Sequence, residues 1–391
     1  MRECRTGIAG PSLRLRHSAD RNDSRTESPS GNEYIFIHRK ADEGQSSKPG
    51  LRQTSAHPFF YCDGRMNSTL PVRSLLLAPM VALSHRALRE LILSFGGLDL
   101  AFTEMASAGA VTAHSLYDRY FLDVDPLPNG TIFQFYTTKP ELLPEALGMV
   151  AERGAFGADI NFGCAAPRIL QAGGGAAWMR EPEKAADLVR LARLGWAASL
   201  SAKLRIGLDD DYGRLLDFCL RLAEAGLDFL TLHPRLEGQK FRRKGRWDYV
   251  ARLVEDLSIP VMGNGDVRGW ADWSRWMAEA KPAGIMIGRE AVRRPWIFAL
   301  IRGLEADPAF ELTVDLRETA FQFLDLVEAL LPPEFHESRA KKFFDYYADN
   351  FTFAHHLKCR LQNSSDIPAM RRVLDEYLAE VPSDRQTVQR G

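Results

Sequence analysis

Residues 158–204 read ADINFGCAAPRILQAGGGAAWMREPEKAADLVRLARLGWAASLSAKL, and in this stretch two short apolar runs flank a longer helical pattern. The runs Ala158–Asn161 and Leu200–Leu204 have the length of buried strands. Between them, Ala185–Leu194 places apolar residues at intervals of three and four, as an amphipathic helix does. A strand, a crossover helix and a second strand form the unit from which parallel sheets are built.

The same alternation continues on both sides of this unit. Further strand candidates are Leu75–Ala78, Leu100–Thr103, Thr131–Phe135, Phe229–Leu232, Pro260–Met262 and Gly284–Ile287, with amphipathic segments such as Leu215–Ala225 between them. Eight strands with interleaved helices within about 230 residues predict a (β/α)8 TIM barrel, for which roughly 250 residues is typical. A doubly wound open sheet would need a glycine-rich dinucleotide loop after its first strand, and Ala78-Pro79-Met80 provides none.

The flanking segments differ from the barrel in composition. Residues 1–65 are rich in Ser, Arg, Asp and Gly without sustained periodicity, which predicts a disordered extension, and Met66 is a candidate for the true start of the protein. Residues 66–307 form the predicted barrel. Over 308–391 the strand signal stops, and a small all-α domain is predicted from the helical spacing of Leu316–Leu331, Arg339–Asn350, Phe353–Gln362 and Pro368–Glu380.

The composition excludes several classes of protein. Of 391 residues, 45% are hydrophobic and 26% are charged, which rules out a disordered or fibrous protein. No run approaches the ~18 apolar residues that a membrane-spanning helix needs. Five scattered cysteines without a C-x-x-C pair argue against a disulfide framework and a zinc site, and they indicate the cytoplasm. The net charge of −1 means that nucleic acid would have to bind a local basic patch.

A set of mostly polar residues, with some glycines and the pair Pro79-Met80, follows the predicted strands at their C-terminal ends, where a barrel of this kind carries its chemistry. They are Pro79, Met80, Glu104, Gln134, Asn161, Cys164, Lys203, Arg205, His233, Arg235, Asn264, Gly265, Asp266, Gly288 and Arg289. The glycine-containing loops after the last two strands predict a phosphate site, and the guanidinium group of Arg289 adds positive charge to it. Gln134, Lys203 and His233 could surround a planar heterocycle. Together these features fit FMN, whose chemistry is hydride transfer.

Cys164 follows the fourth strand directly and precedes the loop Gly173-Gly174-Gly175. A thiol on a glycine-flanked loop beside a flavin is a candidate proton donor. The alternative is an inert apolar side chain, which is the usual role of a free cysteine.

These motifs, in this order, resemble the tRNA-dihydrouridine synthase family. The resemblance extends from Leu77 to about Ala299, and the helical tail fits the RNA-binding C-terminal domain of that family. It rests on Ala78-Pro79-Met80, Asn161-Phe162-Gly163-Cys164, Ala202-Lys203-Leu204-Arg205-Ile206-Gly207, His233-Pro234-Arg235 with Trp247-Asp248-Tyr249, Gly263-Asn264-Gly265-Asp266 and Ile287-Gly288-Arg289.

The resemblance implies that NADPH reduces FMN and that hydride then passes to C6 of a uridine in folded tRNA. Cys164 corresponds to the acid that protonates C5, and Asn161 and Arg235 lie on the substrate side. The implied FMN contacts are Pro79, Met80, Gln134, Lys203, His233, Asn264, Gly265, Asp266, Gly288 and Arg289. The three-glycine loop is most similar to the subgroup that acts at position 16 of the D-loop.

Three positions depart from the family pattern. Cys164 is followed by Ala165-Ala166-Pro167 where proline usually comes next, Leu236 stands where threonine is usual, and Glu290 stands where glycine is common. The first departure bears on how the cysteine loop is held.

A basic segment after the sixth strand is the candidate tRNA contact. In Lys240-Phe241-Arg242-Arg243-Lys244-Gly245-Arg246, five of seven residues are basic, and the segment falls on the catalytic rim. A solvated loop is the competing interpretation. We expect RNA contact because a chain of net charge −1 has to concentrate its cations locally.

Three other functions remain open from the residues alone. An FMN barrel that reduces a small molecule would need neither the basic segment nor the helical tail. A barrel lyase could use Lys203 as a Schiff-base nucleophile and would be colourless when purified. A non-catalytic RNA-binding relative would lack turnover. Nothing in the sequence indicates a metal, a membrane or an obligate protein partner.

Overall fold

The structure is a computed structural model that describes residues 70–239 and 243–390. The predicted extension over 1–65, and Met66 as the start of the protein, lie outside the described residues.

The secondary structure alternates between strands and helices up to residue 306 and is mainly helical beyond it. The strands are β1 (Ser74–Leu77), β2 (Leu100–Phe102), β3 (Ala106–Ser107), β4 (Thr131–Tyr136), β5 (Gly157–Phe162), β6 (Ser199–Gly207), β7 (Phe229–Leu236), β8 (Val261–Asn264), β9 (Gly284–Ile287), β10 (Leu312–Asp315) and β11 (Gln386–Gln389). The helices are α1 (Arg86–Phe95), α2 (Ala108–Thr112), α3 (Asp118–Phe121), α4 (Leu142–Gly148), α5 (Pro167–Gln171), α6 (Pro182–Gly195), α7 (Tyr212–Glu224), α8 (Trp247–Asp256), α9 (Trp270–Glu279), α10 (Arg289–Arg293), α11 (Ile297–Ala306), α12 (Leu316–Leu330), α13 (Pro333–Tyr347), α14 (Ala354–Gln362) and α15 (Ile367–Glu380).

Eight parallel strands close into a barrel. The hydrogen-bonded order is β1, β2, β4, β5, β6, β7, β8 and β9, and β9 pairs again with β1 through the register Leu76↔Met286. The two-residue strand β3 pairs with the end of β4. This topology confirms the predicted TIM barrel.

The barrel strands run further than their apolar cores suggested. β6 continues to Gly207 and β7 to Leu236, so Arg205 and His233 are strand residues rather than loop residues. Along β6, Leu200, Ala202 and Leu204 pack into the core between strands and helices, whereas the alternate residue Lys203 faces the barrel mouth. Because strand residues alternate between two faces, the pleat itself directs the polar residues into the mouth.

The predicted helical character of the C-terminal region is confirmed, and a short two-stranded sheet accompanies its helices. β10 pairs antiparallel with β11, with Leu312 opposite Gln389. These strands are four residues each and come from opposite ends of the region, and Val314 is their one buried residue. β10, Leu-Thr-Val-Asp, alternates apolar and polar residues over only four positions, and β11, Gln-Thr-Val-Gln, does not alternate. The predicted helices are present, and α13 begins at Pro333, where the proline occupies the first helical turn.

The C-terminal helices pack against the barrel near its mouth. The ring of Phe323 on α12 lies 6.1 Å from the ring of His85, and Phe335 on α13 lies 4.9 Å from Tyr117. Arg293 on α10 forms an ion pair of 2.8 Å with Asp349. These contacts make the helices one wall of the barrel mouth. None of the described helices is long and apolar enough to cross a membrane.

Candidate active site

A cavity of about 1010 Å³ opens at the C-terminal ends of the barrel strands. The predicted site residues that line it are Pro79, Met80, Gln134, Asn161, Cys164, Lys203, His233, Arg235, Arg243, Lys244, Asn264, Gly265, Asp266, Gly288 and Arg289. Arg246 is not part of this lining, and Lys240 and Arg242 lie outside the described residues. The polar strand ends therefore meet in one cavity, as the barrel topology requires.

Several lining residues were not predicted from the sequence. Met105 follows β2, Trp247 and Trp276 stack with ring centroids 4.6 Å apart, and Tyr346 comes from α13. Trp247 could have been predicted as a cavity residue, because it directly follows the basic segment. Tyr346 reaches the cavity through the packing of the C-terminal helices, which no local pattern reveals.

A buried carboxylate forms a hydrogen bond to the backbone of the loop after β1. Glu104 accepts a hydrogen bond of 2.6 Å from the N–H of Ala82, whose φ of 65° is unusual for a residue other than glycine. The N–H of Met80 donates to Ser84 Oγ at 2.9 Å, so the side chain of Met80 is its remaining contribution to the cavity.

Two carboxamides form the polar floor of the cavity. Gln134 Nε2 donates to Asp159 Oδ2 at 2.8 Å, and Asn161 Nδ2 donates to Gln134 Oε1 at 2.9 Å. Ser201 donates to the other oxygen of Asp159 at 2.7 Å. Burial raises the pKa of Asp159 to about 6. Both amide orientations are thus set by protein partners.

The backbone of Cys164 is held on both sides. Its N–H donates to Asn161 Oδ1 at 2.8 Å, and its carbonyl accepts from the N–H of Ala176 at 2.9 Å. Gly175 has φ +58°, and a Cβ at this position would lie 2.5 Å from the Cys164 carbonyl oxygen. The sequence departure after the cysteine has a local explanation: Pro167 is the first residue of α5.

Positive charge is concentrated on β6 and β7. Burial, assisted by the neighbouring Arg205, lowers the pKa of Lys203 to about 8. Burial and the surrounding Lys203, Arg205, Arg235 and Arg289 also lower the pKa of His233, which is therefore neutral at pH 7. Its Nε2 lies 3.0 Å from Arg235 Nη1 and accepts from that guanidinium, which assigns the ring proton to Nδ1.

Arg235 braces the loop after β8 rather than facing solvent. Its side chain is 1% exposed, and it forms an ion pair with Asp266 and a hydrogen bond of 2.8 Å to the carbonyl of Arg243. The other oxygen of Asp266 accepts from the Gly245 N–H at 2.6 Å. Because these groups are engaged by protein, neither Arg235 nor Asp266 presents an open charge to RNA or phosphate.

Gly265 and Gly288 are the backbone positions at the predicted phosphate side. Gly265 has φ +117°, and a Cβ there would come within 3.1 Å of the His233 ring. Gly288 immediately precedes α10, of which Arg289 is the first residue. The first N–H groups of a helix have no intrahelical acceptor, so they add donors to the guanidinium of Arg289.

The described part of the basic segment lies at the edge of the cavity. Arg243 and Lys244 are exposed and contribute to its lining. Arg246 is instead paired with Asp210 at 2.5 Å and with Asp248 at 2.9 Å. Two cations are therefore available at the rim within the described residues of this segment.

Comparisons with known proteins identify the family of the chain. A family model described as dihydrouridine synthase matches residues 76–367. The tRNA-dihydrouridine(16) synthase of Cupriavidus necator is 30% identical over 77% of this chain and 96% of its own length. The tRNA-dihydrouridine(16) synthase of Neisseria meningitidis serogroup B is 28% identical over 82% of this chain and 99% of its own. The probable tRNA-dihydrouridine synthase 1 of Synechocystis is 28% identical over 63% and 70%.

The matched region begins in the middle of β1 and reaches the first residue of α15, so it includes the other seven barrel strands in full and most of the C-terminal helices. It also contains every described residue of the cavity floor. The chain therefore belongs to the dihydrouridine synthase family, oxidoreductases that act on uridine in tRNA.

Proposed function

We propose that this protein is a tRNA-dihydrouridine synthase that uses NADPH-reduced FMN to deliver hydride to C6 of a uridine, with Cys164 protonating C5. The observation that carries the proposal is the shared cavity, in which the Cys164 loop and the polar set of Gln134, Lys203 and His233 line one volume. A reduction of the C5=C6 bond needs both a hydride source and a proton source at one base.

The residues of the cavity fit FMN. The cavity has a volume of about 1010 Å³, which is ample for a mononucleotide. Lys203 makes no direct hydrogen bond to a described residue and can face an electron-rich ring edge, while Gln134 has a fixed amide beside it. Gly288, Arg289, Asn264 and Gly265 supply the side on which a single phosphate would be held.

The protein's own groups have distinct tasks in this reaction. FMN, when bound and reduced, supplies the hydride. Lys203 stabilises negative charge at the ring edge, and the neutral His233 can donate from Nδ1 without adding a further cation. Cys164 Sγ gives its proton to C5, so that one hydride and one proton are added across the double bond. The thiolate is then reprotonated from solvent.

The substrate is proposed to be folded tRNA. A base inside folded RNA must be unstacked before a barrel mouth can receive it, and phosphate contacts must hold the RNA during that step. Arg243 and Lys244 line the rim and suit this role. Lys240, Arg242 and Arg246 of the same basic segment are proposed to contribute as well, Arg246 only if it leaves its ion pairs with Asp210 and Asp248. We expect this reaction to take place in the cytoplasm.

We propose position 16 of the D-loop as the modified uridine. Two of the relatives reported above are named for that position, and their matches cover 96% and 99% of their own lengths. The loop Gly173-Gly174-Gly175 packs against the cysteine loop and is the local feature associated with this subgroup in the sequence.

The test uses the purified protein, FMN, NADPH and an unmodified tRNA transcript, with dihydrouridine mapped by mass spectrometry of nuclease fragments. Dihydrouridine at position 16 is the expected product. A colourless protein that binds no FMN, or reduction of free uracil in preference to tRNA, would contradict the proposal.

A further inference from the structure

Asp159 is a fully buried carboxylate that the proposed reaction does not use. It lies in the middle of β5 on the inner face of the barrel, one step below Asn161. Taking a carboxylate out of water is costly unless its hydrogen bonds are made, and an apolar side chain would serve the packing of a barrel interior better. The presence of an acid at this position therefore requires another explanation.

Asp159 begins a continuous chain of hydrogen bonds that ends at the cysteine. Gln134 donates to Asp159 at 2.8 Å, Asn161 donates to Gln134 at 2.9 Å, and the N–H of Cys164 donates to Asn161 at 2.8 Å. The N–H of Gly163 also donates to Asn161, at 3.1 Å. Every donor in this chain faces toward Asp159.

The direction of the chain depends on what Asp159 can accept. An ionised carboxylate only accepts, whereas a carboxamide has one donating and one accepting end. Gln134 therefore turns its NH₂ group toward Asp159 and its oxygen toward Asn161. Asn161 must then give its NH₂ group to Gln134, which leaves its own oxygen for the backbone of Cys164.

We propose that Asp159 is a positioning residue that sets, through Gln134 and Asn161, both the amide beside the flavin and the backbone of the proton-donating cysteine. The roles of Gln134 and Cys164 in this inference rest on the proposed function. The single buried acceptor Asp159 thus couples the Gln134 amide to the backbone of Cys164. The carbonyl of Cys164 is held independently, because it accepts from the N–H of Ala176.

Two substitutions separate the accepting oxygen of Asp159 from its charge. Asp159→Asn keeps an oxygen for Gln134, and its NH₂ group can donate to Ser201, whose hydroxyl also accepts. Asp159→Leu removes the acceptor and keeps the number and branching of the side-chain heavy atoms. Ser201→Ala is the matched control, because it deletes a buried hydrogen bond to Asp159 without touching the chain to Cys164.

Two readouts do not require turnover. FMN titration of the apoprotein reports the amide at Gln134, and the rate of Cys164 alkylation by iodoacetamide reports the cysteine loop. Alkylation is followed by peptide-resolved mass spectrometry, with the exposed Cys359 of α14 as an internal reference. Turnover with tRNA and the melting temperature are measured in parallel.

For Asp159→Leu we expect FMN affinity to fall at least about tenfold, which is the worth of one well-formed hydrogen bond. Cys164 alkylation should change at least about threefold while Cys359 is unaffected, and turnover should fall about 100-fold through misplacement. Asp159→Asn should restore FMN affinity and alkylation to near wild type. Ser201→Ala should behave as wild type in both. The melting temperature of Asp159→Leu should fall, because Gln134 and Ser201 lose their buried acceptor, so FMN titration and alkylation are carried out well below it.

Three results would overturn the inference: unchanged FMN affinity and alkylation in Asp159→Leu, an Asn variant as defective as Leu, or an equal defect in Ser201→Ala. If Asp159→Leu does not fold, Gln134→Leu breaks the next link and should change Cys164 alkylation to the same extent. If the wild-type protein forms no dihydrouridine, the proposed function fails, whereas titration and alkylation still decide the role of Asp159.

Discussion

Cys164 is the residue on which the proposed proton transfer depends. Its backbone is fixed by Asn161 and Ala176, and its side chain lines the cavity. Replacing it with alanine removes the acid without altering those backbone contacts. We expect Cys164→Ala to lower single-turnover uridine reduction by about 100-fold or more, the range for loss of a general acid, while FMN affinity is retained. Reduction at the wild-type rate would exclude Cys164 as the acid.

Lys203 makes FMN binding depend on pH. Burial lowers its pKa to about 8, so the free protein loses this cation as the pH rises through that value. A bound anion raises the pKa of the lysine, so FMN binds the protonated form more tightly. The affinity for FMN should therefore fall between about pH 7 and pH 9, where the lysine of the free protein loses its proton. Titration of the apoprotein with FMN at each pH measures the effect.

The control for this profile is Lys203→Met, which keeps the length of the side chain and removes the titrating group. Its FMN affinity should be weaker at pH 7 and constant across the same range. A wild-type profile that is flat through pH 8 would show that Lys203 does not contribute its charge to FMN binding.

At the residue scale, the sequence predicted which side chains share one cavity, but it did not predict which side chains bond to one another there. Cys164, Lys203 and His233 were found because a TIM barrel collects its strand ends at one mouth. Asp159 was missed because it lies in the middle of a strand, whereas site residues were sought at the C-terminal strand ends. The engagement of Arg235 by Asp266 was also missed, since it joins the ends of β7 and β8, and neither sequence segment indicates a contact with the other.

Among the elements of the site, the glycine loop before residue 176 controls the cysteine loop by contact. A Cβ at Gly175 would lie 2.5 Å from the Cys164 carbonyl, whereas a Cβ at Gly173 would meet nothing within 4 Å. Both glycines have positive φ, so both alanine variants carry similar backbone strain. We expect Gly175→Ala to reduce turnover at least about tenfold more than Gly173→Ala, because only the former displaces Cys164. Equal turnover in the two variants would contradict this contact.

The basic segment should act through RNA phosphates. Arg243 and Lys244 are exposed at the cavity edge, so the double variant Arg243→Ala, Lys244→Ala should bind tRNA more weakly. The slope of log binding constant against log salt concentration should decrease in magnitude by about 1.5 to 2. Lys184→Ala with Arg190→Ala, on the outer face of α6, removes the same charge away from the mouth. Filter binding across a salt series distinguishes the pairs. Identical slopes in the two double variants would argue against contact at this rim.

At the scale of elements, apolar runs predicted the cores of all eight barrel strands but not their ends. β6 and β7 extend past their apolar runs because alternate residues, such as Lys203 and Arg205, face the mouth while the ladder continues. The sheet of β10 and β11 was not predicted, since each strand is only four residues long and the two pair across about seventy intervening residues.

Across the whole molecule, the barrel and C-terminal helices should unfold together. Phe323 of α12 is fully buried against α13 and the His85 side of the barrel. We expect Phe323→Ala to cost about 3–5 kcal/mol and to shift one calorimetric transition as a whole. Phe353→Ala, at a phenylalanine that is 57% exposed, is the matched control and should shift the midpoint little. Two separated transitions would show that the helices unfold independently.

The charge of the whole chain is compatible with a polyanionic substrate because it is unevenly distributed. The net charge of −1 divides into +3 over residues 1–65 and −4 over the rest. Within the rest, many basic side chains of the C-terminal helices are neutralised by neighbours, as in the pairs Lys341–Glu337 and Arg371–Asp325. The exposed cations at the mouth, Arg243 and Lys244, are thus placed where RNA must approach.

The central claim is tested most directly by mapping dihydrouridine in tRNA from cells that lack this gene and from the same cells with the gene restored. The account predicts that the modification at position 16 disappears on deletion, returns with the wild-type gene and does not return with Cys164→Ala. Unchanged dihydrouridine after deletion, or full restoration by the Cys164→Ala gene, would contradict it.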